Sequence, residues 1–502
     1  MRDHGAGGRR RAHEYRARGR GRSGPHGARD APRGRGGTSR LPGGPHAGSR
    51  DRRAVLADAR DARLSQAPPP SAGRGVALRA RLQAERGRRL DRAFAEAAAD
   101  ALDARERAFA HELAYGVTRL RGRLDHLISL RLHGQVASLD PRVLEILRLG
   151  AYQLLYMRGV PSYAAVSATV EQVRAEVGPG PTGLVNAVLR QVDRTGDGPE
   201  HFPDFRADPL GFLESWGSHP RWLLERWLTR WKPDDVRRLV EADNRRPGTY
   251  LLPLGTDAPQ GAATLEAAGL HAEAVGEGTD SLRLGEGVTP AAALAALPRA
   301  VVQDPATSLV SRYADVPRGT KVADLCAAPG GKVLAVADRP VYTLAADRSE
   351  SRLLMVKENA RRVGLPLGLV VADALHPPLR GVDVILLDAP CSGTGTLARR
   401  PDARWRLEPE SIRELVGVQR DMLRASAEVL GQGGLLVYST CSLETEENEE
   451  QVEAFLTSHR EFRIEATDAV PSRYLDSVGQ LSVTPQGAGF DGAFAARLRK
   501  VG

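Results

Sequence analysis

Two cysteines are placed where chemistry is plausible. Cys391 lies in Asp388-Ala389-Pro390-Cys391-Ser392-Gly393-Thr394-Gly395, directly after the apolar run Val384–Leu387, and Cys441 closes Gly433-Gly434-Leu435-Leu436-Val437-Tyr438-Ser439-Thr440-Cys441. Both sulfurs therefore fall at the ends of strand-like segments. A thiolate is the nucleophilic form of cysteine, and an unperturbed thiol is only a few per cent ionised near neutral pH, so activation must come from neighbours. A lone free cysteine is most often a small buried hydrophobe. Two at neighbouring strand ends, beside the carboxylate of Asp388, make that bland reading much weaker.

The third cysteine belongs to a different device. Val322-Ala323-Asp324-Leu325-Cys326-Ala327-Ala328-Pro329-Gly330-Gly331-Lys332 starts apolar, ends in a turn of small residues and runs into Val333-Leu334-Ala335-Val336-Ala337. This reads as strand, turn, helix, with glycines that let a ligand approach the backbone. The spacing is not GxGxxG, and Val333 after Lys332 rules out a phosphate-binding GxxxxGK[ST] loop. Downstream, three further apolar runs end in acids: Val341–Ala346 before Asp347, Leu369–Ala372 before Asp373, and Val384–Leu387 before Asp388. Helical spacing over Ser349–Val363 separates two of them. Strands alternating with helices predict a doubly wound, mostly parallel α/β sheet, with the ligand beyond the carboxyl ends of its strands. Asp347 follows Gly330 by 17 residues, near the offset of about 20 at which an acid takes ribose hydroxyls.

The elements that must carry this site extend over 502 residues, enough for about three domains. No apolar run of about 20 residues predicts a membrane span, and the arginine-rich start has no apolar segment behind it to form a signal peptide. Three cysteines at wide spacing fit a reducing cytoplasm, with neither a disulfide framework nor a metal site expected. The charge is uneven. Residues 1–53 hold 15 Arg and 4 Asp+Glu and carry +11, which leaves −2 on the rest of a chain whose net charge is +9. Residues 1–74 are therefore expected to be a disordered tail, either an arm for RNA phosphates or a solubilising extension.

From 75 to 195 the pattern predicts an all-α bundle, with helical runs over Ala77–Ala99 and Glu106–Leu132, another starting at Pro141 behind Asp140, and two more after Pro161 and over Gly183–Val192. Residues 196–300 are expected to form a connector and a small α+β subdomain, with Trp216, Trp222, Trp227 and Trp231 packing between domains. Residues 301–502 hold the site.

The wording of these segments is more specific than their periodicity. Arg105-Glu106-Arg107-Ala108-Phe109, His111–Val117, Leu147–Leu154 and Val185–Arg190 resemble the RNA-binding bundle of the antitermination factor NusB, which implies RNA binding helped by Arg119, Arg121 and Arg123. The C-terminal half resembles the S-adenosylmethionine-dependent RNA cytosine-5 methyltransferases, in particular the bacterial 16S rRNA branch (Sun/Fmu or RsmB), which joins a NusB-like domain to a class I Rossmann-like catalytic domain. The resemblance rests on Gln303-Asp304-Pro305-Ala306, the Cys326–Lys332 turn, Asp388–Gly395, Arg400-Pro401-Asp402 with Trp405, Ser439–Ser442, Glu446-Glu447-Asn448-Glu449 and Gly489–Phe494. It implies that Cys326, Ala327, Ala328, Pro329, Gly330, Gly331 and Lys332 hold the methionine end of S-adenosyl-L-methionine. It further implies that Asp347 binds the ribose, that Asp373 lies by the adenine, and that Asp388 sits between cofactor and base. Cys441 would be the nucleophile and Cys391 would assist product release.

The chemistry accounts for two sulfurs. Cytosine C5 is too poor a nucleophile to take a methyl group unaided. Thiolate addition at C6 makes it enamine-like, and the adduct must afterwards be undone. Amino-group methylation needs no adduct. Val333 departs from the family's usual threonine after the motif lysine, and Thr249–Pro253 lacks its Arg-x-Asn. The expected partner is RNA, with 16S rRNA first and tRNA or another RNA as the alternative, and the protein itself is expected to be a cytoplasmic monomer. A reading of another class is a non-catalytic RNA-binding assembly factor.

Overall fold

The computed structural model describes residues 71–98, 102–132, 135–276 and 278–501. The expected tail lies outside these residues apart from its last four. Those are ordered because the Ser71 side chain accepts the N–H of Arg74 and caps a helix over Ala72–Glu85, so the bundle starts inside the stretch assigned to the tail.

Six more helices complete the bundle: Leu90–Ala97, Ala104–Arg119, Arg121–Ser129, Pro141–Tyr156, Ser162–Glu176 and Thr182–Thr195. The single run expected over Ala77–Ala99 is two helices, broken where Gly87 takes φ +87°. Asp103 and Asp140 cap their helices through side-chain bonds to Glu106 N and Arg142 N. Leu113, Leu124, Ile146, Leu147 and Leu189 are fully buried at the centre. Gly116 permits the close crossing of two helices, since a Cβ there would lie 2.0 Å from the Tyr152 ring. An ion network of Arg81, Glu145, Arg148 and Asp125 is folded into the same interior.

The connector has helices at Pro209–Ser215, Arg221–Arg230 and Pro233–Asn244. They lead into a small antiparallel sheet of β1 (Tyr250–Pro253), β2 (Ala272–Val275), β3 (Ser281–Leu284) and β4 (Ala300–Val302), in the order β2-β3-β1-β4. Trp227 is fully buried, and Trp216, Trp222 and Trp231 pack around the same cluster. That cluster draws Leu127 from the bundle and Leu397, Ala403 and Leu443 from the C-terminal domain.

The C-terminal sheet contains β5 (Lys321–Asp324), β6 (Tyr342–Asp347), β7 (Gly368–Val371), β8 (Val382–Asp388), β9 (Leu430–Thr440), β10 (Phe462–Ile464), β11 (Leu481–Val483) and β12 (Ala493–Lys500). Its order is β10-β12-β9-β8-β5-β6-β7, with β11 on β12. Strands β7, β6, β5, β8 and β9 are parallel and β12 is antiparallel to β9. Alternation along β8 serves two cores. Ile385 and Leu387 pack with Met422 and Leu423 of the helix Pro409–Val429, whereas Val384 and Leu386 pack with Val322 and Val336. Burial on both faces explains the unbroken apolar runs. The strand order reverses between β5 and β8, so a ligand crevice opens beyond Asp324 and Asp388. Among the described residues no helix is long and apolar enough to cross a membrane.

Candidate active site

The turn after β5 is organised by buried acids. Asp324, at the strand end, accepts the N–H of Cys326, and Asp347, at the end of β6, accepts from Ala328 N (3.3 Å) and Ser349 N (2.9 Å). Burial, reinforced by Asp388, lifts the Asp324 carboxyl to about 7. Cys326 is pushed up by burial and by the same acids, which keeps it a thiol and removes it as a nucleophile. Gly330 has φ +110°, a left-handed conformation that starts the helix Gly331–Val336. A Cβ on Gly331 would sit 2.5 Å from the Gln303 Oε1 oxygen, which is buried and unpartnered.

Lys332 reaches from this turn to β8, where its Nζ is 2.8 Å from Asp388 Oδ2. Burial opposes the ammonium, but Asp388 outweighs it and the lysine stays charged. The other Asp388 oxygen accepts from Ser439 Oγ of β9 at 3.0 Å. Asp373 stands exposed beyond β7 and accepts the N–H of Leu375 at 3.0 Å.

The two catalytic candidates meet. Cys391 Sγ lies 3.3 Å from Cys441 Sγ and equally far from the Cys441 backbone nitrogen. The Cys391 thiol donates to Cys441, which together with the positive charges of Arg400 and Lys332 draws Cys441 down to about 6, against burial and Asp388. The partner moves the other way. The Cys441 thiolate and burial hold Cys391 protonated far above the ordinary thiol range. The pair is thus polarised, Cys441 toward the thiolate and Cys391 toward the thiol.

Two features went unassigned in the sequence. Arg400 Nη2 is 3.2 Å from Cys441 Sγ, with Nε and Nη2 also on Thr396 Oγ1. Its signal was Arg400-Pro401-Asp402, a family motif without an attached role. Glu447 is buried and accepts from Ser392 N, Ser392 Oγ, Ser442 Oγ and Gln419 Nε2. Since Ser392 and Ser442 each follow a site cysteine, one carboxylate ties both cysteine-bearing loops together.

Three expectations from the bundle are corrected. Arg119 donates to Ala398 O, Arg121 stacks on Trp405 and pairs with Glu85, and Arg123 stacks on Trp216 and donates to its carbonyl. They are consumed in packing against the connector and catalytic domains and do not form a free RNA-binding face.

The turn fits S-adenosylmethionine. Around Gly330 and Gly331 stand the carboxylates Asp324, Asp347 and Asp388, the wrong sign for a nucleotide phosphate and the right one for a sulfonium bearing an ammonium and a ribose diol. The unpartnered Gln303 oxygen adds a buried acceptor at the same turn.

Residues 315–499 match the model of the family 16S rRNA methyltransferase RsmB/F, and residues 73–194 that of the NusB family. The ribosomal RNA small subunit methyltransferase B of Klebsiella pneumoniae is 35% identical over 410 residues, covering 79% of this chain and 90% of that protein. The Escherichia coli enzyme of the same name is 36% identical over 363 residues, covering 70% and 82%. The crystal structure of PH0851 superposes with a TM-score of 0.69 at 25% identity, over 86% of this chain and 99% of that one. The chain therefore belongs to the RsmB/F family of 16S rRNA methyltransferases, S-adenosylmethionine-dependent enzymes, here with a NusB domain ahead of the catalytic one.

Proposed function

We propose that this protein forms 5-methylcytosine in 16S rRNA through a covalent bond between Cys441 and C6 of the target base. The observation that carries this reading is the sulfur pair beside Asp388, 3.3 Å apart, with the Cys441 pKa drawn down by its neighbours and that of Cys391 pushed up. Methylation of an amino group or a ribose needs no such pair.

S-adenosylmethionine, when bound, supplies an electrophilic methyl group; the work of this chain is to make C5 able to take it. The Cys441 thiolate adds to C6 and leaves C5 enamine-like. Asp388, held by Lys332 and Ser439, faces the polar edge of the ring and stabilises the charge that develops near N3. Release requires loss of the C5 proton and cleavage of the C6–S bond. Cys391 is suited to this step because its proton is held by the hydrogen bond to Cys441, then by burial and by the charge on that sulfur. Once that sulfur is bonded to carbon, the hydrogen bond to a thiolate and its charge are gone, so Cys391 can pass its proton to solvent, take the C5 proton in its place, and leave the C5–C6 electron pair to expel the Cys441 thiolate. Asp347 takes the ribose hydroxyls and Asp373 lines the adenine end. The target base must be unpaired or flipped, at a cost of roughly a few kcal/mol, which favours a single-stranded loop.

Bisulfite sequencing of total RNA from a deletion strain tests the assignment. The expected outcome is loss of one 5-methylcytosine from 16S rRNA. Loss from tRNA instead would move the substrate, and an unchanged pattern in all RNA would refute the activity.

A further inference from the structure

We infer that the N-terminal helical bundle takes part in the chemical step, because it holds the segment 397–406 that presents Arg400 to the Cys441 sulfur, with Arg404 and Trp405 as the positioning residues. The inference rests on Cys441 being the nucleophile.

The segment has little structure of its own. Between the single turn Thr394–Thr396 and the one-turn helix Ala403–Arg406 it runs irregularly. Its position is set from two sides: within the catalytic domain Arg399 pairs with Asp304 and Asp491, and the bundle grips the rest. Trp405 Nε1 donates to Thr118 O of the bundle at 2.8 Å, Arg119 Nη2 donates back to Ala398 O at 3.2 Å, and Leu90 N donates to Asp402 Oδ2 at 3.2 Å. Arg404 is wholly buried and spreads its donors over Asn244 Oδ1 (2.8 Å) and the carbonyls of Ser218, Asp243, Arg119 and Leu397. No carboxylate pairs with it within 4.0 Å among the described residues, and its Nε has no partner. A buried guanidinium satisfied by carbonyls and a contact with the His219 ring, with no carboxylate, is costly. What it achieves is to fix bundle, connector and catalytic domain at one point, four residues from the arginine on the nucleophile.

Arg400 itself is exposed, and among the described residues its side chain hydrogen-bonds to Thr396 and to sulfur alone. It lies over Gly393, where a Cβ would approach its Nη2 to 2.6 Å, so the contact depends on where the segment sits. The charged or titratable groups around Cys441 are Cys391, Arg400, Lys332, Asp388 and Asp491, with Glu447 behind Cys391. Of these, Arg400 is the one carried by residues 397–406. A displacement of about 1 Å in a group that positions charge is enough to cost large factors in rate.

The test needs no RNA. Carbamidomethylation of Cys441 by iodoacetamide is followed by mass spectrometry from pH 5 to 9 in the full-length protein, in wild type, Arg400→Gln, Trp405→Phe and Arg119→Met. Thermal unfolding confirms that each variant is folded, and Arg119→Met stands in should Trp405→Phe fail. Wild type is expected to show a reactivity midpoint near pH 6. Arg400→Gln should raise it, and the two interface variants should raise it in the same direction, with at least threefold slower modification at pH 7. Interface variants that titrate as wild type while Arg400→Gln does not would overturn the inference. An unreactive Cys441 in wild type would instead overturn the assignment of the nucleophile.

Discussion

The Cys391 sulfur lies 3.3 Å from the Cys441 sulfur and accepts the Cys441 backbone N–H at the same distance, so the two residues form a closed unit. Substitutions in it should separate the two halves of the reaction. Cys441→Ala should abolish methylation with no adduct. Cys391→Ala should form the adduct more slowly, having lost a hydrogen bond to the thiolate, and then keep it. A protein–RNA band that survives denaturing electrophoresis in Cys391→Ala alone is the expected result; the opposite pattern would exchange the two roles.

The pH dependence follows from the same unit. The thiolate fraction of Cys441 rises with pH through its value of about 6, so the step limited by its attack should climb from pH 5 and level off above about 7. Removing the positive charge in Arg400→Gln shifts the midpoint upward and makes the rate at pH 7 fall, with partial recovery by pH 9. Single-turnover rates across this range check both signs.

Asp347 is buried with both oxygens on backbone N–H groups, one of them in the turn itself. Asp347→Ala should therefore remove an acceptor for the ribose and also loosen residues 328–329. At least a tenfold loss in affinity for S-adenosylhomocysteine is expected by titration calorimetry, about 1.4 kcal/mol. RNA binding should be unaffected.

Trp227 is fully buried in the cluster joining connector to catalytic domain, and its Nε1 donates to Glu444 at 3.1 Å. Trp227→Ala should cost about 3–5 kcal/mol, with a further cost from the weakened support of Glu444, which then depends on Arg226. Denaturant unfolding should show the lower midpoint.

The strand-end acids, the glycine turn and both site cysteines were readable because a parallel sheet repeats one pattern: apolar run, then a polar residue at the ligand edge. Each such residue is carried at the end of its own strand, so spacing alone suffices to place it. Arg400 and Glu447 were not readable as functional parts. Each works through a contact between segments far apart in sequence, and neither position carries a periodic signal. The bundle arginines were misread for a related reason. Arg119, Arg121 and Arg123 lie on a helical surface that composition marks as solvated, and only tertiary packing reveals that Trp405 and Trp216 cover it. Gly116 against Tyr152 shows the converse, where a family motif had a purely steric cause.

Arg404 sets a limit on how this protein can be dissected. A catalytic fragment excised at residue 301 would strip that guanidinium of Arg119, Ser218, Asp243 and Asn244 and bare Leu397, Ala403 and Leu443 to water. The halves are thus not interchangeable cassettes. A transplant between relatives should carry residues 397–406 together with the helices that grip them.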